Sequence, residues 1–390
     1  AAALVAAVFF TTPVTEYRGG YDYDGVFYAA MANGENGIEA HLAPWGYRVL
    51  TPFLAGQLPW STLTNFRALA LVTTFVELIL FGWILGRLGF SPTLRVFGVL
   101  LYAGVFWTLK FSFYAPAYID YQTRLLLLAI IALTLAERPA WLLLVFALGA
   151  LQKEALVAFV PFAVATMLLR GSPLKAWLRG ALLVVACAAA LIAVRTHVIV
   201  ANPDQSQAQL MLTQAAEIFA PARWPMLLQA AFSGLGLLPA LLIASARGWT
   251  PFLRAHREWC VYGAIAVILL AGGLDKARLF LYLLPLAVIL TLTSISALER
   301  GLTPPAFWLW AAPVLVVHFY LGGYLGPVGN VASYLAKFVP EHASNTFVPY
   351  LIRNVALSVV VAWATRRVIV PLVAGASSTK PTRPAGTRPG

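Results

Sequence analysis

Apolar residues run along this chain in blocks, without the alternation of a half-buried strand. Runs of about 18 or more apolar residues recur from end to end, each long enough to cross a bilayer core of about 30 Å. A helix that is apolar all round belongs in lipid, where it satisfies its own backbone polar groups. The absence of strand-type alternation argues against a β-barrel. Windows bounded by charge and Pro/Gly clusters predict about twelve spans, at 1–12, 62–86, 93–111, 121–136, 139–151, 155–169, 178–198, 224–246, 259–272, 278–297, 305–322 and 347–365. The segments 139–151, 155–169 and 259–272 are short for full crossings, and the pair 139–169 also fits a helical hairpin that stops before the far side. The expected fold is an all-α polytopic membrane protein, with residues 1–370 as a single transmembrane domain. Residues 13–61 form its first extracytoplasmic loop, and 371–390 form a disordered basic tail in the cytoplasm. The opening AAALVAAVFF reads as the end of a span whose beginning is missing, with a cleaved signal peptide as the weaker alternative.

Composition agrees: 61% of residues are hydrophobic and 11% charged, with a mean hydropathy of +0.80. The net charge of +12 first suggests a nucleic-acid partner, but its distribution does not. Loops and tail on one side hold Arg87, Arg95, Arg138, Arg170, Lys175, Arg179, Arg247, Arg254, Arg257, Arg300 and the basic C-terminal residues. That is 15 of the 27 basic residues, against three acids, Glu137, Glu258 and Glu299. The remaining 12 basic and 12 acidic residues cancel. The basic side is cytoplasmic by the positive-inside rule, so the charge is an orientation signal, and both termini fall inside. The two cysteines and five histidines form no metal-ligand or redox spacing. HExxH, Walker and GxGxxG motifs are missing.

The other side carries the candidate chemistry. In YDYDGVFYAAMANG, residues 21–34, Asp22 and Asp24 sit among tyrosines. Asp24 reads as the N-cap of a short helix over about 24–33, broken by Gly34 and Asn36-Gly37. PWGYRVLTPFLAGQLPW predicts a second, over about 45–58. Both would lie in the interface plane. In FYAPAYIDYQTR, Asp120 and Arg124 have the i, i+4 spacing of an ion pair. Lys153 and Glu154 stand at the turn QKE between two short spans, where charges also serve simply to end helices. In GGLDKARLFLYLLP, Asp275 and Arg278 are three apart at a span mouth, a spacing that also suits a cap. Ionisable groups at the edge of a bundle are functional candidates. Carboxylates there can take a proton from a hydroxyl, and Arg or Lys can hold a phosphate.

An acidic first loop followed by interfacial helices resembles the C-type glycosyltransferase (GT-C) superfamily. YDGVFY with GYRVLTPFLA is similar to a bacterial membrane-protein group with a YDGxFY loop and a YRxxxP stretch. IDYQTR, QKEAL and DKARLFLYLLP match the superfamily's layout. The resemblance covers most of the chain as topology, through short and degenerate motifs. It implies transfer of a sugar from a polyprenyl-phosphate donor to a glycan, lipid or protein acceptor outside the bacterial inner membrane. Carried over by position, Asp24 is the catalytic base, with Asp22 its rival. Asp120 takes the second acidic position, which shapes the site or binds a cation. Arg48, Lys153 and Arg278 contact phosphate, and Tyr28, Tyr47, Glu154 and Asp275 complete the substrate-binding set. No metal ligands are assigned and no cofactor is required, although a divalent cation is compatible with the acidic positions. The split DYD departs from the family's usual DE or DD pair, so the identity of the base stays open between Asp22 and Asp24. The alternative is a multi-span transporter or lipid-carrier flippase. It would use Glu77, which lies inside a span; against it, the halves show no repeat and no broken midplane helices are evident.

Overall fold

The computed structural model describes residues 1–35, 42–200, 212–216, 220–273, 275–325, 331–340 and 346–378, with no side-chain description for 331–333 or beyond 367. Among the described residues the protein is helical and contains no strand. The helices are α1 (Ala2–Thr11), α2 (Asp22–Ala32), α3 (Leu50–Gly56), α4 (Thr62–Arg87), α5 (Pro92–Ala103), α6 (Leu109–Tyr114), α7 (Asp120–Leu135), α8 (Pro139–Gln152), α9 (Val160–Arg170) and α10 (Pro173–His197). There follow α11 (Trp224–Leu235), α12 (Leu238–Ala244), α13 (Ala246–Ala255), α14 (Glu258–Leu269), α15 (Lys276–Leu279), α16 (Leu284–Gly301), α17 (Pro304–Leu321), α18 (Val331–Phe338) and α19 (Val348–Ser378).

Each predicted span meets a helix, but not every helix is long. Among the described residues five, namely α4, α10, α16, α17 and α19, are long and apolar enough to cross a membrane. A sixth is reached if α11 and α12, bent by 100°, count as one broken span. α1, α5, α8 and α14 are shorter apolar helices. The segment 155–169 is a 3-10 turn, Glu154–Phe159, leading into α9.

The break between α11 and α12 corrects the expectation of an uninterrupted helix over 224–246. Gly236 takes φ 58° there, a backbone conformation open to glycine without a Cβ clash. The buried His318 ring accepts the Leu237 N–H at Nδ1 (3.1 Å) and donates from Nε2 to the Leu101 carbonyl (2.7 Å). A side chain thus supplies the partner that the interrupted helix lacks.

α16 is the central helix, 67% buried, packed by α5, α12, α13 and α19. α4, α7, α8 and α10 pack side by side beside the first loop. α10 instead presents Leu178, Leu182, Val184, Val185 and Ile192 outward. An exposed apolar face of that extent suits lipid rather than water. The protein is a helical membrane protein.

The first loop holds both expected helices. α2 covers the first, and a 3-10 turn, Trp45–Tyr47, followed by α3 covers the second. α3 stops at Gly56, and α4 starts afresh behind Ser61, whose hydroxyl accepts the Thr64 N–H. Gly34 ends α2 at φ 66°; Asn36 and Gly37 lie outside the described residues. At the other end α19 reaches Ser378, past the expected start of the tail at 371, and 379–390 lie outside the described residues.

Candidate functional site

Four stretches remote in sequence meet at one end of the bundle. Arg278, from α15, is the centre. Both of its Nη groups donate to Asp24 Oδ2, at 3.0 and 3.1 Å. Asp275 lies 3.2 Å and Asp120 3.6 Å from the same guanidinium. Its plane also stands over the Tyr118 ring at 5.2 Å. Lys153 donates to the other oxygen of Asp120 at 3.1 Å. Asp120, Lys153 and Arg278 line a narrow cleft together with Arg124 and Tyr282.

The turn QKE joins this cluster to a second. Gln152 donates to the Ile119 carbonyl (2.9 Å) and accepts from Thr51 (2.8 Å). Lys153 reaches Asp120. Glu154 takes a forked pair of bonds from Arg48, at 2.9 and 3.4 Å. Arg48 also donates to the hydroxyl of the fully buried Tyr28 (3.3 Å). Three consecutive side chains therefore tie α3, the mouth of α7 and the first loop together. Burial raises the Glu154 carboxyl, but the Arg48 charge, the hydrogen bonds from Arg48 and the backbone, and the Lys153 charge together outweigh it and hold the group down at about 2. Tyr47 lies elsewhere, under the Arg195 guanidinium at 5.1 Å.

The acidic motif folds differently from the N-cap expectation. The helix begins at Asp22, and no side chain caps it; Asp24 falls in its first turn. The Asp24 N–H donates instead to the Tyr118 hydroxyl (3.1 Å). Asp22 adopts φ 60°, the left-handed region where Asp and Asn are the best-tolerated side chains after Gly. Its Oδ1 accepts the Tyr23 N–H at 2.9 Å. It is 3% exposed, and burial pushes its carboxyl up to about 6. The two aspartates thus differ. Asp22 is enclosed, whereas Asp24 is partly exposed and uses Oδ2 for Arg278. Among the described residues Asp24 Oδ1 makes no hydrogen bond, so one oxygen of this carboxylate is left for an incoming donor.

Two sequence expectations need correcting. Arg124 does not pair with Asp120. It turns inward to Glu77, at 2.7 and 3.1 Å, and also donates to the Trp107 and Thr108 carbonyls and to Ser112. Glu77 is accordingly no free carboxylate in a span: it accepts in addition from Tyr102 (2.6 Å). With Asp24 and Lys153 so close to Asp120 and Arg278, the i, i+4 spacing on α7 was overridden by partners from other elements.

Sequence reasoning missed Tyr118 and Gln152. The signal for Tyr118 was its position two residues before Asp120; Gln152 offered only adjacency to Lys153. Among the described residues no group of three or more His, Cys, Asp or Glu side chains is placed to hold a metal ion. The carboxylates are spread around Arg278 and Lys153 instead. Compared with protein-family models, curated proteins and solved structures, the chain gives no match.

Proposed function

We propose that this protein is a glycosyltransferase of the GT-C kind, moving a sugar from a polyprenyl phosphate to an acceptor on the extracytoplasmic face of a bacterial inner membrane. The reading includes about twelve crossings with both termini in the cytoplasm, the shorter helices completing the count. The observation that carries it is the junction of Asp24 with Arg278, a candidate base in direct contact with a candidate phosphate ligand that lines the cleft. Asp24 Oδ1 takes the proton of the acceptor hydroxyl. The acceptor oxygen then forms a bond to the anomeric carbon as the bond to phosphate breaks, inverting the configuration. The electron pair leaves with the phosphate oxygen, whose charge Arg278 and Lys153 stabilise.

Charge balance adds a step. Asp22, Asp24, Asp120, Glu154 and Asp275 outnumber Arg48, Lys153 and Arg278, and every one of these cations is held by a carboxylate. A donor phosphate must compete for Arg278, and success loosens its hold on Asp24. Donor binding and activation of the base are then coupled.

The test is a photoreactive polyprenyl-phosphate analogue in proteoliposomes. Labelling of peptides containing Lys153 or Arg278, reduced in Arg278→Gln, is expected. Labelling confined to the region of Glu77 and His318 overturns the reading in favour of a transporter or lipid-carrier flippase. One observation favours that second reading: the 100° break between α11 and α12, since broken helices form the sites of many transporters.

A further inference from the structure

At the opposite end of α7 lies a second, larger cleft, of about 230 Å³. Fourteen residues of helix separate Asp120 from Thr134 on its wall, about 21 Å at 1.5 Å per residue. Arg170, Lys175 and Arg179 line it, against a single acid, Glu137. Glu137 and Arg170 are a loose, exposed pair at 3.6 Å. Lys175 and Arg179 are four apart on the first turns of α10, so they share a face. Among the described residues neither makes an ion pair. Ser172, the N-cap of this 25-residue helix, makes no side-chain cap bond, so the positive end of the helix dipole opens on the same cleft. The floor is apolar, formed by Leu142, Met167 and Ala176.

The flank of the cleft is also apolar. Leu174, Trp177, Leu178 and Leu182 of α10 are exposed, as is Trp141 of α8. Tryptophans at this level suit the headgroup region of a bilayer. A cationic cleft that runs onto a lipid-facing helix surface fits one occupant in charge and polarity together. We propose that it binds an anionic phospholipid, its phosphate held by Arg170, Lys175 and Arg179 and its acyl chains lying along the exposed face of α10. Basic pockets between membrane helices recognise anionic headgroups in this way. Free phosphate would satisfy the cations but not the apolar flank.

The experiment uses the full chain, delipidated in detergent and titrated with phosphatidylglycerol, phosphatidylcholine or inorganic phosphate, with bound species counted by native mass spectrometry. Phosphatidylglycerol should bind with defined stoichiometry and phosphatidylcholine much more weakly. The double variant Lys175→Gln/Arg179→Gln should weaken phosphatidylglycerol binding about 25-fold, at about fivefold for each charge removed. Both side chains are exposed, so the variant should fold. A control variant, Arg247→Gln/Arg254→Gln, removes two charges outside the cleft and should bind as the parent does. Equal weakening in both variants, equal binding of phosphatidylcholine, or displacement of the lipid by inorganic phosphate at similar concentration would each overturn the proposal.

Discussion

Asp24 and Arg278, 254 positions apart in sequence, are joined by two hydrogen bonds that converge on one carboxylate oxygen. The geometry holds the aspartate while leaving its other oxygen for a substrate. It also links the first loop to α15, so the site exists only when both are in place.

Asp24→Asn retains an oxygen for Arg278 and loses the base. Sugar transfer measured in proteoliposomes should fall by about 10²- to 10⁴-fold, with the protein still folded. Asp22→Asn should cost much less, since that carboxylate is enclosed. The reverse ranking would assign the base to Asp22.

Glu77→Gln leaves the buried Arg124 guanidinium without its counter-charge. Breaking one side of a buried pair costs about 3–5 kcal/mol, so thermal unfolding in detergent should occur at a clearly lower temperature. Adding Arg124→Met should recover only part of the loss, because the Trp107 and Thr108 carbonyls then lose their donor. Unchanged stability with loss of proton-coupled flux would instead mark Glu77 as a transport residue.

Asp22 gives the stability a pH dependence. Its carboxyl is raised in the folded protein from 3.8 to about 6, so the folded state binds the proton more tightly than the unfolded state. Its favourable contribution is complete below pH 3.8 and disappears as the pH rises through about 6. Relative to Asp22→Asn, the parent's melting temperature should fall across that window and level off above it. A constant difference would show that the carboxyl titrates normally.

Gly25 sits where α2 meets the segment before α7. A Cβ added there would come within 2.9 Å of the Ala117 Cβ, and two Cβ atoms that close have no flexible end to yield. Gly25→Ala should destabilise by about 1–3 kcal/mol. It should also reduce transfer beyond what the stability loss explains, because the same contact seats the Asp24 N–H on Tyr118. Parent-like melting and activity would show that α2 can shift freely.

Much of the fold could be read from the chain because a bilayer leaves few choices. Long apolar blocks must be helical there: the helix at 62–87 falls where hydropathy alone puts it, and that at 173–197 begins five residues before the expected 178. Charged positions near the ends of these blocks, such as Asp120, Lys153 and Arg278, were visible for the same reason, since charge in so apolar a sequence is conspicuous. Their partners were not. Arg124 matched Asp120 by helical spacing yet pairs with Glu77, because side-chain pairing inside a bundle depends on which helices face each other.

The sequence by itself determined that the protein is helical and lipid-embedded, with two helices in its first loop, through hydropathy and turn chemistry that act locally. Tertiary structure alone decided that α11 and α12 break at Gly236, that Gln152 bridges Thr51 to Ile119, and that Asp24 meets Arg278. Each of these depends on a contact between elements far apart in the chain, the first on that of Leu237 with His318. Such contacts depend on the three-dimensional packing of helices, on which neither periodicity nor composition carries information.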